Sequence, residues 1–302
     1  MIRRLGRYIG VAYPPRTQLP LMLSWAVGLT ALFACTVGGA FRWHPDSGLA
    51  ITAVTLVVDM LLLRALDDLR DHGYDREHHP SRPLPSGMVT ERDLLTLVAV
   101  GTAVLLLLNA HRGMVLAALG VQLAYGIGVM TLEWRTGRPS ADRLGLQLAL
   151  NLPIQTLLSL YVYAGFLRAE QQQPNLAGLM AVAAATFGGL CLELGRKTTR
   201  RPRPGERTYA TVLGPALASA AAVAAAATAT AIVLAITQPW RPEAAGYGWG
   251  WLLLIPLLLP ATAAARFAAG ATGWPVALIR NYLPAMYASF LAVGLLTEGG
   301  LQ

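Results

Sequence analysis

Apolar residues run along this chain in long blocks, and polar residues fall in short clusters between them. Nine apolar segments can be marked, at about 19–41, 49–66, 93–110, 114–133, 144–166, 176–195, 211–237, 249–266 and 276–297. Each is close to or above the roughly 18 residues that carry a helix across a bilayer core. The pattern predicts an all-α polytopic membrane protein with nine transmembrane helices. The first segment follows a basic flank (MIRRLGRYIG), as in a signal peptide. It exceeds the roughly 7–15 residues of a signal h-region, so it reads as a retained first helix.

Composition agrees. Hydrophobic residues make up 55% and charged residues 13%, with a mean hydropathy of +0.49; a soluble domain carries about 25% charged residues. Soluble globular classes are excluded. Cys35 and Cys191 both lie in apolar runs and read as small buried hydrophobes rather than a disulfide or ligand pair.

The net charge of +8 changes meaning once its distribution is read. With the N-terminus placed inside, one face receives residues 1–18, 67–92, 134–143, 196–210 and 267–275. With the flanking Arg266, that face holds eighteen basic residues, against four (Arg42, Arg112, Arg168, Arg241) on the other; Arg64 and Arg280 lie within helices. The positive-inside rule then predicts a cytoplasmic N-terminus and, after nine crossings, an outer C-terminus. Topology accounts for the charge, and nucleic acid is not an expected partner. Abundant Ala and Arg with Lys197 as the single lysine suggest a GC-rich bacterial genome, hence a place in the cytoplasmic membrane. The two longest loops on the basic side follow the second and sixth segments. A pseudo-repeat of 19–133 and 144–266, plus a ninth helix at 276–297, is expected within one membrane domain spanning 1–302.

The first of those loops holds the main candidate chemistry. Arg64 to Asp75 reads RALDDLRDHGYD, with four carboxylates where a membrane helix reaches the interface. On a continuous helix Asp68, Asp71 and Asp75 fall within about 60° of arc, with Arg64 one turn earlier. Carboxylates on one face repel unless a cation sits between them, and Mg²⁺ typically takes one or two carboxylates plus substrate phosphates. Ionisable residues at membrane depth are functional by default. His72, His78 and His79 are irregularly spaced and without nearby Cys, which fits interfacial histidines better than a transition-metal site.

DDLRDHGYDREHHPSRPLPSG, residues 67–87, resembles the first signature of the UbiA superfamily of intramembrane prenyltransferases. That signature has the form N/D-D-x-x-D-x-x-x-D followed by R-P-L-x-x-G. Asp67 takes the Asn-or-Asp place, Asp68, Asp71 and Asp75 match the acids, and Arg82 to Gly87 match the tail. The resemblance implies a UbiA-like bundle and Mg²⁺ held by Asp68, Asp71 and Asp75 with Asp67 in support; Arg64, on the same stripe, is a candidate to meet the diphosphate. The family's second signature, D-x-x-x-D before a G-x-x-T…G element, is altered here. Glu193 stands for the first acid and Lys197 takes the place of the second, with Gly205, Thr208 and Gly214 matching the tail. Glu193 is a further metal candidate. Arg196, Lys197, Arg200 and Arg280 are candidates to meet the diphosphate directly, while a Glu193–Lys197 pair at i,i+4 is the plainer alternative.

The reaction the resemblance implies is Mg²⁺-assisted ionisation of an allylic prenyl diphosphate in an apolar chamber capped by two polar loops. Attack by a small or lipid acceptor makes a prenyltransferase; attack by the substrate's own double bond makes a terpene cyclase. Tyr125, Tyr161, Tyr163, Phe187, Tyr282 and Tyr287 are candidates, by position in helices, to shield such a cation, with ordinary packing or an interfacial anchor the plainer alternative for each. Asn151 and Gln155 are the polar pair of the chamber, and Asn281 joins Arg280 near the ninth helix. A membrane transporter is the rival class.

Overall fold

The computed structural model describes residues 1–37, 45–136, 144–202, 208–244 and 246–298. Arg42, Arg138, Arg143, Arg203, Gly205 and Arg207, counted above for topology or motif, lie outside the described residues, as do positions 38–41 of the first expected span. The described residues are helical, joined by turns, with one isolated bridge between Thr199 and Gly273.

In chain order the helices are α1 (Ile2–Ala12), α2 (Pro15–Ala34), α3 (Ser47–Arg70), α4 (His72–His78), α5 (Glu91–Leu108) and α6 (Met114–Thr136). They continue with α7 (Leu144–Ala169), α8 (Leu176–Arg196), α9 (Tyr209–Leu213) and α10 (Pro215–Thr237). A 3₁₀ helix at Trp249–Leu257, α11 (Leu258–Ala268) and α12 (Val276–Glu298) complete the set. Eight of these stretches are long and apolar enough to cross a membrane. The expected third span corresponds to α5, whose 18 residues begin with the charged Glu91, Arg92 and Asp93. The expected eighth span is a 3₁₀ helix running into α11 rather than one α-helix. Pro256 and Pro260 stand in that stretch, and each lacks the N–H that an α-helical ladder needs.

Two compact units divide the chain: residues 1–23 with 50–161, and residues 24–49 with 162–302. In the first, Ala65, Leu66 and Leu69 of α3 pack with Leu94 and Val98 of α5, Met130 of α6 and Ile154 of α7. Leu84 and Val89, from the turn before α5, close the end of this cluster. Thr90 caps α5 with a capping box to Asp93, which satisfies the first amides of a helix that starts at the polar rim. The amphipathic α1 contributes one buried residue, Tyr8, and is tied to α5 by Arg4 and Asp93 at 3.0 Å.

In the second unit α8 packs against α10 through small residues. Ala181, Ala184, Ala185 and Gly188 of α8 and Ala218, Ala222, Ala225 and Ala229 of α10 are buried. Small side chains let helix backbones approach closely where no hydrophobic force drives helices together. Trp25 of α2 stacks on Tyr287 of α12 at 5.9 Å, and Phe33 meets Tyr163 at 4.6 Å. The Trp274 indole donates to Ser219 Oγ at 3.0 Å.

Candidate active site

The acidic segment 67–75 spans the end of α3 and the whole start of α4, and the helix is broken between them at Asp71. Asp71 has φ −86° and ψ 4°, and its side chain makes no cap bond to α4. Its carboxylate is instead gripped by Arg70, through Nε at 2.9 Å and Nη2 at 3.2 Å. The single face expected for Asp68, Asp71 and Asp75 is therefore interrupted. Backbone bonds still step across the break, from Asp71 N to Asp67 O and from Asp75 N to Asp71 O.

The carboxylates lie in different surroundings. Asp68 is 3% exposed; it accepts from Tyr8 Oη at 2.9 Å and from Arg64 Nη2 at 2.5 Å. Asp75 is 1% exposed, and both its oxygens accept from Arg82 Nη1 at 2.8 Å. Asp67 is half-buried between Arg64 and Arg70. Arg70 also reaches across to the buried Glu133 at the end of α6, Nη1 to Oε2 at 3.3 Å. The R-P-L-P-S-G turn thus has two tasks: Arg82 clamps Asp75 while Leu84 anchors the turn in the core, and Gly87 takes the left-handed φ of 76° that closes it.

Electrostatics follow from this arrangement. Burial, then the charge of Asp68, pushes the Tyr8 phenol well above its ordinary range, so it remains a donor to the carboxylate. Burial opposes the Arg82 cation, but the hydrogen bonds and charge of Asp75 outweigh it and hold the guanidinium above its usual value. Five carboxylates, Asp67, Asp68, Asp71, Asp75 and Glu133, meet three guanidiniums, Arg64, Arg70 and Arg82. Each carboxylate has a guanidinium partner, and the carboxylates outnumber the guanidiniums by two.

Among the described residues, no three His, Cys, Asp or Glu side chains converge as a ready metal site. Around Asp67, Asp71 and Glu133 the reason is visible: the Arg70 guanidinium stands between them. The donors are hard carboxylate oxygens, so the residues fit Mg²⁺ in chemistry. His72 is paired with Glu91 at 2.8 Å and His78 stacks on Tyr74, so neither joins the acids.

The second motif lies in the other unit, at the end of α8. Glu193 is held by Arg196 at 2.6 Å and by Lys197 at 2.8 Å, one through each oxygen. Lys197 Nζ also lies 5.6 Å from the centre of the Tyr209 ring, whose phenol is raised first by burial and then by Glu193. Arg200 is turned to structural partners, donating to Phe267 O at 3.0 Å with its guanidinium over the Phe267 ring. Arg280 and Asn281 are exposed on α12.

The expected chamber residues are scattered among several roles. Tyr161 belongs to a buried network at the opposite end of α3 from Asp68. There Arg112 donates to Asn109 Oδ1 at 2.9 Å, to Tyr161 Oη at 3.1 Å and to Thr52 Oγ1 at 3.2 Å. Tyr125 donates to Leu150 O, and Asn151 keeps a buried oxygen with no hydrogen bond. Gln155 and Phe187 are half-buried. Tyr282 lines an apolar cleft with Cys191, Trp274 and Ile279.

Sequence pattern did not single out Tyr8, Asp59, Gln122 or Glu133. Asp59, buried at midspan of α3, accepts from Gln122 Nε2 at 2.9 Å, and its other oxygen has no partner. Its signal is plain, a lone acid inside an apolar run. Glu133 has a weaker one, an acid at the last position of the fourth apolar segment. Tyr8 has none, because only the fold brings α1 onto α3.

The solved apo structure of a UbiA homolog from Aeropyrum pernix K1 superposes with a TM-score of 0.59. It is 18% identical, with 93% of this chain and 96% of that chain covered. No family model matches this chain, and no curated protein does. The fold is of the UbiA type.

Proposed function

We propose that this chain is an intramembrane enzyme that ionises an allylic prenyl diphosphate and passes the prenyl group to a small or lipid acceptor. The observation that carries the reading is the ion-pair cluster at the end of α3, set in a UbiA-type fold. It combines guanidiniums suited to diphosphate oxygens with carboxylates that outnumber them by two.

Asp67 and Asp71, half-exposed, would hold Mg²⁺, with Asp68 and Asp75 behind them. Bound there, Mg²⁺ supplies Lewis-acid withdrawal of charge from the diphosphate. Arg64 orients Asp68 and presents its remaining donors to a non-bridging phosphate oxygen. Tyr8 and Arg82 fix Asp68 and Asp75 in place. As the C1–O bond breaks, its electron pair leaves with the diphosphate and an allylic cation remains for the acceptor. In the second unit, Lys197 and Arg196 are further candidates to meet phosphate, each at present committed to Glu193.

The test is diphosphate release from radiolabelled prenyl diphosphates in nanodiscs with Mg²⁺, with and without a membrane extract. Asp71→Ala is expected to lower release by about 100-fold or more, the usual scale for removing one electrostatic contact to a transition state. Release unchanged in this variant would sink the enzyme reading. Hydrocarbon or terpene alcohol formed without extract would make the enzyme a cyclase.

The Asp59–Gln122 pair favours a second reading, a cation-coupled carrier, since carrier sites lie near midspan. Label recovered chemically unchanged inside proteoliposomes would support it.

A further inference from the structure

We propose that Arg70 keeps the place of a divalent cation between Asp67 and Asp71, and that Glu133 is the positioning residue that takes up Arg70 when the cation binds. This rests on reading the acidic cluster as a metal site.

Arg70 makes three unequal pairs. It grips Asp71 with two nitrogens at 2.9 and 3.2 Å and bonds Asp67 through Nη2, but it touches Glu133 through Nη1 alone, at 3.3 Å. Asp67 and Asp71 are open to the outside, with side chains 31% and 35% exposed; Glu133 is buried, at 4%. Glu133 also has an oxygen, Oε1, that is buried without any hydrogen bond. A buried carboxylate oxygen with no donor is costly, and native sites that keep one call for an explanation.

The explanation is a second position for the guanidinium. Arginine and carboxylate pair best as a fork, with two parallel N–H···O bonds. Arg70 and Glu133 now share one such bond and have the atoms for two. If a cation takes Asp67 and Asp71, Arg70 loses its partners there and would repel the new charge. A turn about the outer torsions of Arg70 completes the fork on Glu133, moves its charge off the metal ligands and satisfies Oε1 in one step. Without Glu133 the displaced guanidinium would have no buried counter-ion, and cation binding would have to work against it.

The experiment uses the full chain in nanodiscs of zwitterionic lipid and reads free Mn²⁺ by electron paramagnetic resonance, so no turnover is needed. Wild type is expected to bind Mn²⁺ saturably. Glu133→Gln, which keeps the shape but not the charge, is expected to weaken binding about tenfold, and Glu133→Asp to restore part of it. Arg70→Gln is expected to tighten binding, and adding Glu133→Gln to it should change nothing further. The proposal is overturned by Glu133→Gln binding as wild type, by Arg70→Gln binding more weakly, or by an equal loss from Glu133→Gln in both backgrounds. Absence of saturable Mn²⁺ binding in wild type would remove the metal reading along with it. Coupled Mn²⁺ binding without diphosphate release would leave this inference standing and remove the prenyl-diphosphate reading alone.

Discussion

Tyr8 is the residue whose role is most exposed to test, because one hydroxyl links the N-terminal helix to the acidic segment. Tyr8→Phe removes that bond while leaving Asp68 its arginine. The expected loss of stability is about 1–3 kcal/mol, the range for a buried hydrogen bond to a carboxyl group. The sign of the pH dependence is fixed by the direction of the shift. Burial and Asp68 both disfavour the phenolate, so the folded phenol keeps its proton above its ordinary value of 10.0. The bond's contribution is complete below that pH and is lost as pH rises through the higher folded value. Phenolate absorbance checks this: the difference between wild type and Tyr8→Phe should stay flat to about pH 11, where a free tyrosine is largely ionised. A step centred on pH 10 would mean that the phenol is not held by Asp68.

At the scale of elements, backbone approach decides which helices can meet. A Cβ on Gly28 of α2 would lie 2.2 Å from the Tyr287 carbonyl oxygen of α12, inside contact distance, and 2.9 Å from its Cβ. Nothing there is the yielding tip of a flexible side chain, so Gly28→Ala must push the two helices apart. The expected cost is at least about 1–3 kcal/mol, the scale of overpacking. Gly10→Ala on α1 meets nothing within 4 Å and should be neutral or slightly stabilising, since Ala favours helix. Thermal unfolding of the two variants in the same detergent makes the comparison; equal melting temperatures would contradict the packing. The break at Asp71 belongs to this scale as well. Spacing predicted one acidic stripe because it assumed an unbroken helix, and it could not show that Arg70 outcompetes the α4 cap for the Asp71 carboxylate.

Across the whole molecule, the helical class was legible because lipid demands long apolar runs, and those runs survive in the sequence whatever the tertiary packing. The acids of the first motif were legible for the same reason: charge at membrane depth stands out. Their partners were not. Glu133 and Tyr8 reach Arg70 and Asp68 across 63 and 60 residues of sequence, and no periodicity encodes a contact of that range. The number of crossings turns on α5. Its 18 residues rise about 27 Å, near the thickness of a hydrocarbon core. Its three charges sit together in the first turn, where Arg4 and His72 pair with Asp93 and Glu91. That places the charged turn at the same polar rim as the acidic segment, with the apolar remainder free to cross. Ser86 before α5 and Ala110 after it, both exposed, should then lie on opposite sides of the membrane. With Cys35 and Cys191 replaced by alanine, Ala110→Cys should react with an impermeant maleimide from outside intact cells. Ser86→Cys should react only after permeabilisation, as the positive-inside rule puts its arginine-rich loop within. Labelling of both from one side would make α5 a segment that enters and leaves by the same face; exchange of the two sides would keep the crossing but reverse the orientation.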